Sequence, residues 1–181
     1  MKKFASFIIC FILLSCTSSN ETQTDNSNLL SDKRIISKTT NLSILIPKGW
    51  FEAEDNDCNC TDLWIVKHDY SESMIFRKMN IDDETLNELE NNGLAKAVEY
   101  SRIFVKTKPG IDTNSISTNE VFKINENDFN AYQYENPEGN QVRTVVFEQR
   151  GKFFEMETVS KQSNDTKSLF LLQNAVLSTL N

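Results

Sequence analysis

The sequence predicts an α+β domain, an antiparallel β-sheet flanked by helices, over residues 35–181. Two patterns lead there. Residues 115–160 alternate apolar and polar side chains and are punctuated by turn signals, Asn136-Pro137-Glu138-Gly139 and Arg150-Gly151, as successive hairpins require. Residues 82–104 and 163–180 instead space their apolar side chains by three and four, as helices lying on a sheet do. A span of that length suits one domain, which buries roughly two thirds of its unfolded surface.

Ahead of the domain, Lys2 and Lys3 precede an almost wholly apolar run at residues 4–14. That run is too short for a membrane-spanning helix, which needs ~20 residues, so residues 1–15 read as a cleaved export signal. It ends in Leu13-Leu14-Ser15-Cys16, which resembles a bacterial lipobox in its leading Leu, small Ser and terminal Cys. The resemblance implies a lipoprotein: Cys16 becomes the first mature residue and carries a diacylglyceryl group. Acyl chains anchor at ~0.8 kcal/mol per buried methylene, so the partner is a membrane that the protein sits on without crossing. Thr17 follows the cysteine with no acidic cluster directly after it, which by the same resemblance implies the outer membrane in a cell that has one. Residues 16–34 are then the lipidated cysteine and a tether. Ser, Thr, Asn, Gln and Asp dominate there, with Leu29 and Leu30 the exceptions, and such a composition does not offset the entropy of ordering. As a coil it reaches ~20–25 Å.

Loss of Lys2 and Lys3 takes the 19 basic residues to 17 against 26 acidic, near −9, which speaks against nucleic acid or anionic lipid as a general partner. Of the 4 cysteines, Cys10 lies in the signal and Cys16 takes lipid, leaving Cys58 and Cys60. An exported domain with an even pair suggests oxidation. One intervening residue makes a tight ring, however, and strained disulfides are the reducible ones. A Cys58–Cys60 disulfide and two free thiols both remain open.

Within the domain, Leu42, Ile44 and Ile46 alternate onto one face of a strand that Pro47 ends and Lys48-Gly49 turns. The stretch Ile44-Leu45-Ile46-Pro47-Lys48-Gly49-Trp50 resembles the opening strand of PsbP-like and Mog-like domains. The order that follows is also similar: a strand pair, a helix, four strands and a closing helix, over residues 41–180. The resemblance implies an α/β/α sandwich without enzymatic activity whose members bind protein partners, some of them linked to metal ions. It transfers no functional residues, because the shared ones are structural.

Residues 52–62 form an acidic loop. Asp55, Asp57 and Asn59 have the spacing that opens an EF-hand, but Cys60 stands at the turn glycine and Val66 at the bidentate glutamate, so no EF-hand is expected. Residues 63–68 and 74–79 read as paired strands, with Trp64, Val66 and His68 on one face. His68 is the single histidine, expected half-exposed at a strand end; with Cys58 and Cys60 it would complete a three-residue soft metal site.

Asp82, Asp83 and Glu84 suit the positive end of the first helix, and Leu86, Leu89, Gly93, Ala97, Tyr100 and Phe104 mark its expected apolar stripe. Gly93 costs about 1 kcal/mol against Ala and allows a break there. Strands are expected at 116–124, 129–134, 141–149 and 152–160. A two-residue turn at Arg150-Gly151 pairs Phe147 with Phe154 and Val145 with Met156 on a core face that also takes Ile44 and Ile46. The other face pairs Val146 with Glu155 and Thr144 with Glu157 and is mixed. Glu155 and Glu157 are the nearest thing to a catalytic carboxylate pair and read as a wet sheet face. In the last helix Leu169, Leu172, Val176 and Leu180 form the seam.

The sequence holds no glycine-rich phosphate loop, nucleophile motif, paired CxxC or repeat, and nothing calls for a cofactor. The expected function is a membrane-anchored cell-envelope lipoprotein acting as a non-enzymatic binding or assembly module for another envelope protein. The second reading is a metal or small-ligand binder using the Cys58–Cys60 loop.

Overall fold

The computed structural model describes residues 28–54, 60–161 and 166–181, with the side chains of 83 and 86–92 left aside. In chain order the strands are β1 (Leu30–Ile36), β2 (Ser43–Pro47), β3 (Trp50–Glu52), β4 (Leu63–Lys67), β5 (Glu72–Lys78), β6 (Glu120–Ile124), β7 (Asn127–Glu135), β8 (Gln141–Gln149) and β9 (Lys152–Ser160). Helix α1 (Asp83–Thr107) separates β5 from β6, and α2 (Thr166–Leu177) follows β9. Strands β3 to β9 form one antiparallel sheet in the order β3-β4-β5-β9-β8-β7-β6, while β1 and β2 pair by themselves.

Side-chain alternation divides the large sheet into two buried faces. On the first, Ile65, Phe76, Val145, Phe147, Phe154 and Met156 pack beneath Leu42, Ile44 and Ile46 of the β1–β2 layer and Leu169, Val176 and Leu177 of α2. On the second, Tyr132, Val142, Val146 and Phe153 lie under Ala97, Val98 and Val105 of α1. The expected helix-flanked antiparallel sheet is thus the observed one, and Ile44, Ile46, Val145, Phe147, Phe154 and Met156, expected on its core face, are all buried.

The β8–β9 hairpin closes as expected. Arg150 and Gly151 have φ of 54° and 70°, the mirror-image turn whose twist matches the flanking strands. It pairs Phe147 with Phe154, Val145 with Met156, Val146 with Glu155 and Thr144 with Glu157. Asn125 and Glu126 (φ 49° and 67°) turn β6 into β7 in the same way. Register then lines up one phenylalanine on each of four strands: Phe122, Phe129, Phe147 and Phe154. Their successive ring centroids are 5.5, 5.9 and 5.6 Å apart, and Phe76 of β5 meets Phe147 edge-on at 6.4 Å.

Three expectations need correction. Leu30 to Arg34, read as tether, begin β1, whose Ile35 and Leu30 are buried against β2. Serine, aspartate, lysine and arginine fill the positions between them, and an irregularity between Leu30 and Arg34 breaks the alternation. The strand expected at 116–124 starts only at Glu120. Asp112 caps a short 3-10 turn at Thr113–Ser115, and Ile116 is then buried in the second core.

The third correction concerns α1. Asp82 caps it, its Oδ1 accepting from the Thr85 amide at 2.8 Å. Gly93 stands at φ 62°, ψ −152°, a conformation open to glycine alone at low cost, and breaks the helix in two as the sequence allows. Beyond the break the buried stripe is Ala97, Val98, Ser101 and Val105. Tyr100 and Phe104, expected on that stripe, are 37% and 59% exposed, and Ile103 beside them 53%. Ala97 is buried as expected, but the buried row runs on from it by fours, to Ser101 and Val105, and not through Tyr100 and Phe104, because apolar side chains stand on both rows and spacing alone does not choose between them. No helix among the described residues is long and apolar enough to cross a membrane.

Candidate functional site

The carboxylate pair of β9 does not lie on a wet face. Phe153, Glu155, Glu157 and Val159 point to the side that α1 covers, and both glutamates are half-buried. Register places Arg77 beside Glu155 and Thr144 beside Glu157. The Tyr134 hydroxyl donates to Glu157 Oε2 at 3.2 Å. Arg77 Nη1 and Lys108 Nζ approach the same oxygen at 3.6 and 3.7 Å. Lys108 ends α1, so Glu157 ties the helix terminus to the sheet.

Two turns earlier in α1, the buried Ser101 hydroxyl lies 2.7 Å from the Tyr132 hydroxyl. Ser101 also bonds to Glu155, an acceptor when ionised. With Glu155 ionised, the protons run from Tyr132 to Ser101 to Glu155. Burial pushes both tyrosine hydroxyls far above the ordinary phenol value, with the nearby glutamates adding to the shift, so both stay protonated donors.

Burial raises the Glu155 carboxyl above its usual range and the Glu157 charge adds to this; the Ser101 hydrogen bond, Arg77 and Lys108 oppose it. An acid so raised binds its proton more tightly folded than unfolded. Its stabilising contribution is fully present below the unfolded value and is lost as pH climbs through the folded one. Glu155→Gln keeps the acceptor for Ser101 and removes the titration. The variant should melt above the wild type at neutral pH, with the gap closing toward about pH 4, near the ordinary glutamate value. A gap constant across that range in thermal melts would place the titration elsewhere.

Chemically, this cluster clamps. Glu157 is paired with two cations and accepts a hydrogen bond from a phenol, and α1 lies over both carboxylates. A cleft of about 400 Å3 lies instead toward the other end of the sheet, between Lys78–Met79 and Gly151–Phe153.

The first face holds a second buried charge. Arg143 is 2% exposed. Its Nη1 donates to Gln173 Oε1 at 2.8 Å and Asn174 Oδ1 at 2.9 Å, both on α2, and its Nη2 to Glu120 Oε2 on β6 at 3.1 Å. The guanidinium lies 5.1 Å from the Phe122 ring centroid and 5.6 Å from that of Phe170. Burial lowers its proton affinity and Glu120 partly restores it. Sequence reasoning passed over this residue, although alternation puts Arg143 on the face of Val145 and Phe147.

Of the residues singled out from the sequence, Cys16, Asp55, Asp57, Cys58 and Asn59 lie outside the described residues. Cys60 is disulfide-bonded, and each of the other three cysteines lies outside the described residues. A disulfide sulfur is not a thiolate ligand. Cys60 precedes β4 and His68 follows it, so they flank opposite ends of a strand about 13 Å long at ~3.3 Å per residue, an arrangement that does not bring them to one ion. His68 is exposed and stacks on Phe51 at 5.6 Å. Among the described residues no group of three His, Cys, Asp or Glu side chains is placed to hold a metal. The structure adds a surface feature: Tyr100, Ile103 and Phe104 form one exposed apolar stripe on α1.

No protein-family model matches the sequence, and no curated protein matches it. Solved structures share the fold. Cyanobacterial PsbP (CyanoP) from Synechocystis superposes with a TM-score of 0.56 at 16% identity, over 82% of this chain and 91% of that one. LpqN, described as involved in cell envelope biogenesis of Mycobacterium tuberculosis, gives 0.50 at 14% identity, over 86% and 92%. A Bacteroides thetaiotaomicron protein gives 0.52 at 14% identity, over 82% of this chain and 47% of that one. At these identities the likeness shows the fold, and the fold is PsbP-like.

Proposed function

We propose that this chain is a lipid-anchored protein of the bacterial cell envelope that works by contact, binding or helping to assemble another envelope protein, without turning over a substrate. The observation that carries the reading is the outer stripe of α1. Tyr100, Ile103 and Phe104 sit at i, i+3 and i+4, so their exposed side chains are contiguous on one helix face. Single exposed apolar residues are ordinary, whereas a contiguous patch with aromatic members marks a contact surface. The PsbP-like fold, shared with a protein of envelope biogenesis, supports the reading. So does the use of the half-buried carboxylate pair of β9 as a helix clamp. An anchor on the same membrane raises the effective concentration toward a neighbour, so modest affinity suffices.

Two measurements test it. In a bacterial host the protein should label with fatty acid and partition into detergent, and Cys16→Ala should abolish both. Capture of the partner from solubilised membranes should fall ~10-fold or more with Ile103→Asp plus Phe104→Asp, the loss expected for central apolar anchors. The melting temperature should hold, since both side chains face solvent. Capture should survive joint replacement of Cys58, Cys60 and His68. Unchanged capture by the Asp pair would remove the α1 stripe from the function. A hydrolytic or redox activity lost with the triple replacement, folding intact, would overturn the contact reading.

A further inference from the structure

We propose that the corner of the sheet where the N-terminal segment joins the domain is a membrane-docking tip, seated in the headgroup layer of the bilayer that holds the lipid anchor. It rests on the lipid-anchor reading above. Two backbone bonds build the corner: the Lys48 amide donates to the Leu29 carbonyl at 3.0 Å and the His68 amide to the Gly49 carbonyl at 3.0 Å. They join the start of β1, the β2–β3 turn and the β4–β5 turn beside β3, the outermost strand of the large sheet.

An aromatic cluster occupies that corner. The His68 ring stacks on Phe51, and Tyr70 meets Phe51 edge-on at 5.8 Å. Tyr70 is 65% exposed and Leu29 42%. Tyr70 also stands at φ 60°, a left-handed position that glycine or asparagine takes without strain and a bulky residue does not. A turn facing only water has no need to hold an aromatic ring outward there. Exposed aromatic rings beside lysine are the composition of the membrane–water boundary, and Lys48 is exposed next to this cluster. Lys67 lies 3.8 Å from Asp69 and 3.3 Å from Glu72, and with Lys48 two cations stand against these two carboxylates, so this corner is free of the acidic excess of the whole chain.

Tether length supplies the occupant. The ~13 residues from Cys16 to Leu29 reach ~45 Å fully extended and ~20 Å as a coil. The corner is thus the part of the domain that an anchor on Cys16 holds nearest the bilayer.

The test uses the full lipidated chain on phosphatidylethanolamine–phosphatidylglycerol vesicles. A nitroxide is placed at Lys48→Cys or at Val121→Cys, the latter 72% exposed on β6 at the opposite edge of the sheet, with the unsubstituted chain as labelling blank. On floated vesicles the ratio of oxygen to nickel-chelate accessibility should be severalfold higher at 48 than at 121. Adding Tyr70→Asp should bring 48 down to the level of 121 with flotation unchanged. Equal ratios on floated vesicles overturn the docking and leave the anchor standing. A label at 48 shielded from both reagents indicates a second copy of the chain and also overturns it, as does a shift that survives Tyr70→Asp. A chain that does not float overturns the anchor reading and the docking with it.

Discussion

Phe147→Ala should cost about 4–5 kcal/mol of unfolding free energy, the upper end of the range for deleting a buried ring. Phe147 is 1% exposed and touches three other rings, Phe129, Phe154 and Phe76. Each such pair is worth about 0.5–1.5 kcal/mol beyond the area it buries. The gap left behind is floored by hydrogen-bonded strands and roofed by the β1–β2 layer and α2, which leaves little room for collapse. Phe154→Ala, with one of those ring contacts, should cost about 3–4 kcal/mol, and Phe122→Ala at the edge strand about 1–2 kcal/mol. Urea unfolding at constant m-value reads all three. A loss under about 1 kcal/mol at Phe147 would mean that the face assignment is reversed.

Arg143→Ala should cost about 3–5 kcal/mol, the usual consequence of breaking a buried charged network. The substitution opens a cavity between Phe122 and Phe170 and strips Gln173 Oε1 and Asn174 Oδ1 of their donor. Glu120 loses little, because its side chain is 52% exposed and water takes over the carboxylate. Arg143→Met separates volume from charge. It fills the slot between the rings and leaves no buried ion, so it should cost roughly 1–3 kcal/mol less than alanine. Gln173 still donates to the Arg143 and Met156 main-chain carbonyls, at 3.3 and 3.1 Å, and keeps α2 on the sheet in both variants. Equal costs for Met and Ala would assign the whole effect to the guanidinium hydrogen bonds and none to packing.

How much was legible follows from where local rules and tertiary contacts agree. The β8–β9 register could be read from the sequence because Arg150-Gly151 fixes the turn and alternation fixes the faces. The acidic start of α1 and the break that Gly93 allows are local chemistry and could be read in the same way. The buried face of α1 beyond Ala97 could not, because Tyr100 and Phe104 offer an apolar row as regular as that of Ser101 and Val105, and only the contact with the sheet decides between them. β1 was hidden because its between-core positions are polar, so a half-covered strand and a tether have the same composition. The clamp at Glu157 was hidden for another reason: Tyr134, Arg77 and Lys108 come from two other strands and a helix end, and meet the carboxylate through the fold alone. Arg143 was within reach of the alternation rule, but a charge on a core face is an answer that hydrophobic patterning discounts.

The separate pairing of β1 with β2 has a mechanical consequence. Tension applied through the N-terminal segment enters at Leu30, at one end of a two-stranded ladder. From that end the ladder opens like a zipper, one bond at a time, and two strands alone resist little. Further along, the load meets a fastened stretch. Arg34 donates to Ser43 Oγ at 3.1 Å and to the Thr179 carbonyl at 3.0 Å, and Asp62 receives the Ser37 and Thr39 hydroxyls at 3.2 and 2.7 Å. A tug therefore lengthens the leash by the first residues of β1 and then stops, while the seven-stranded sheet stays shut.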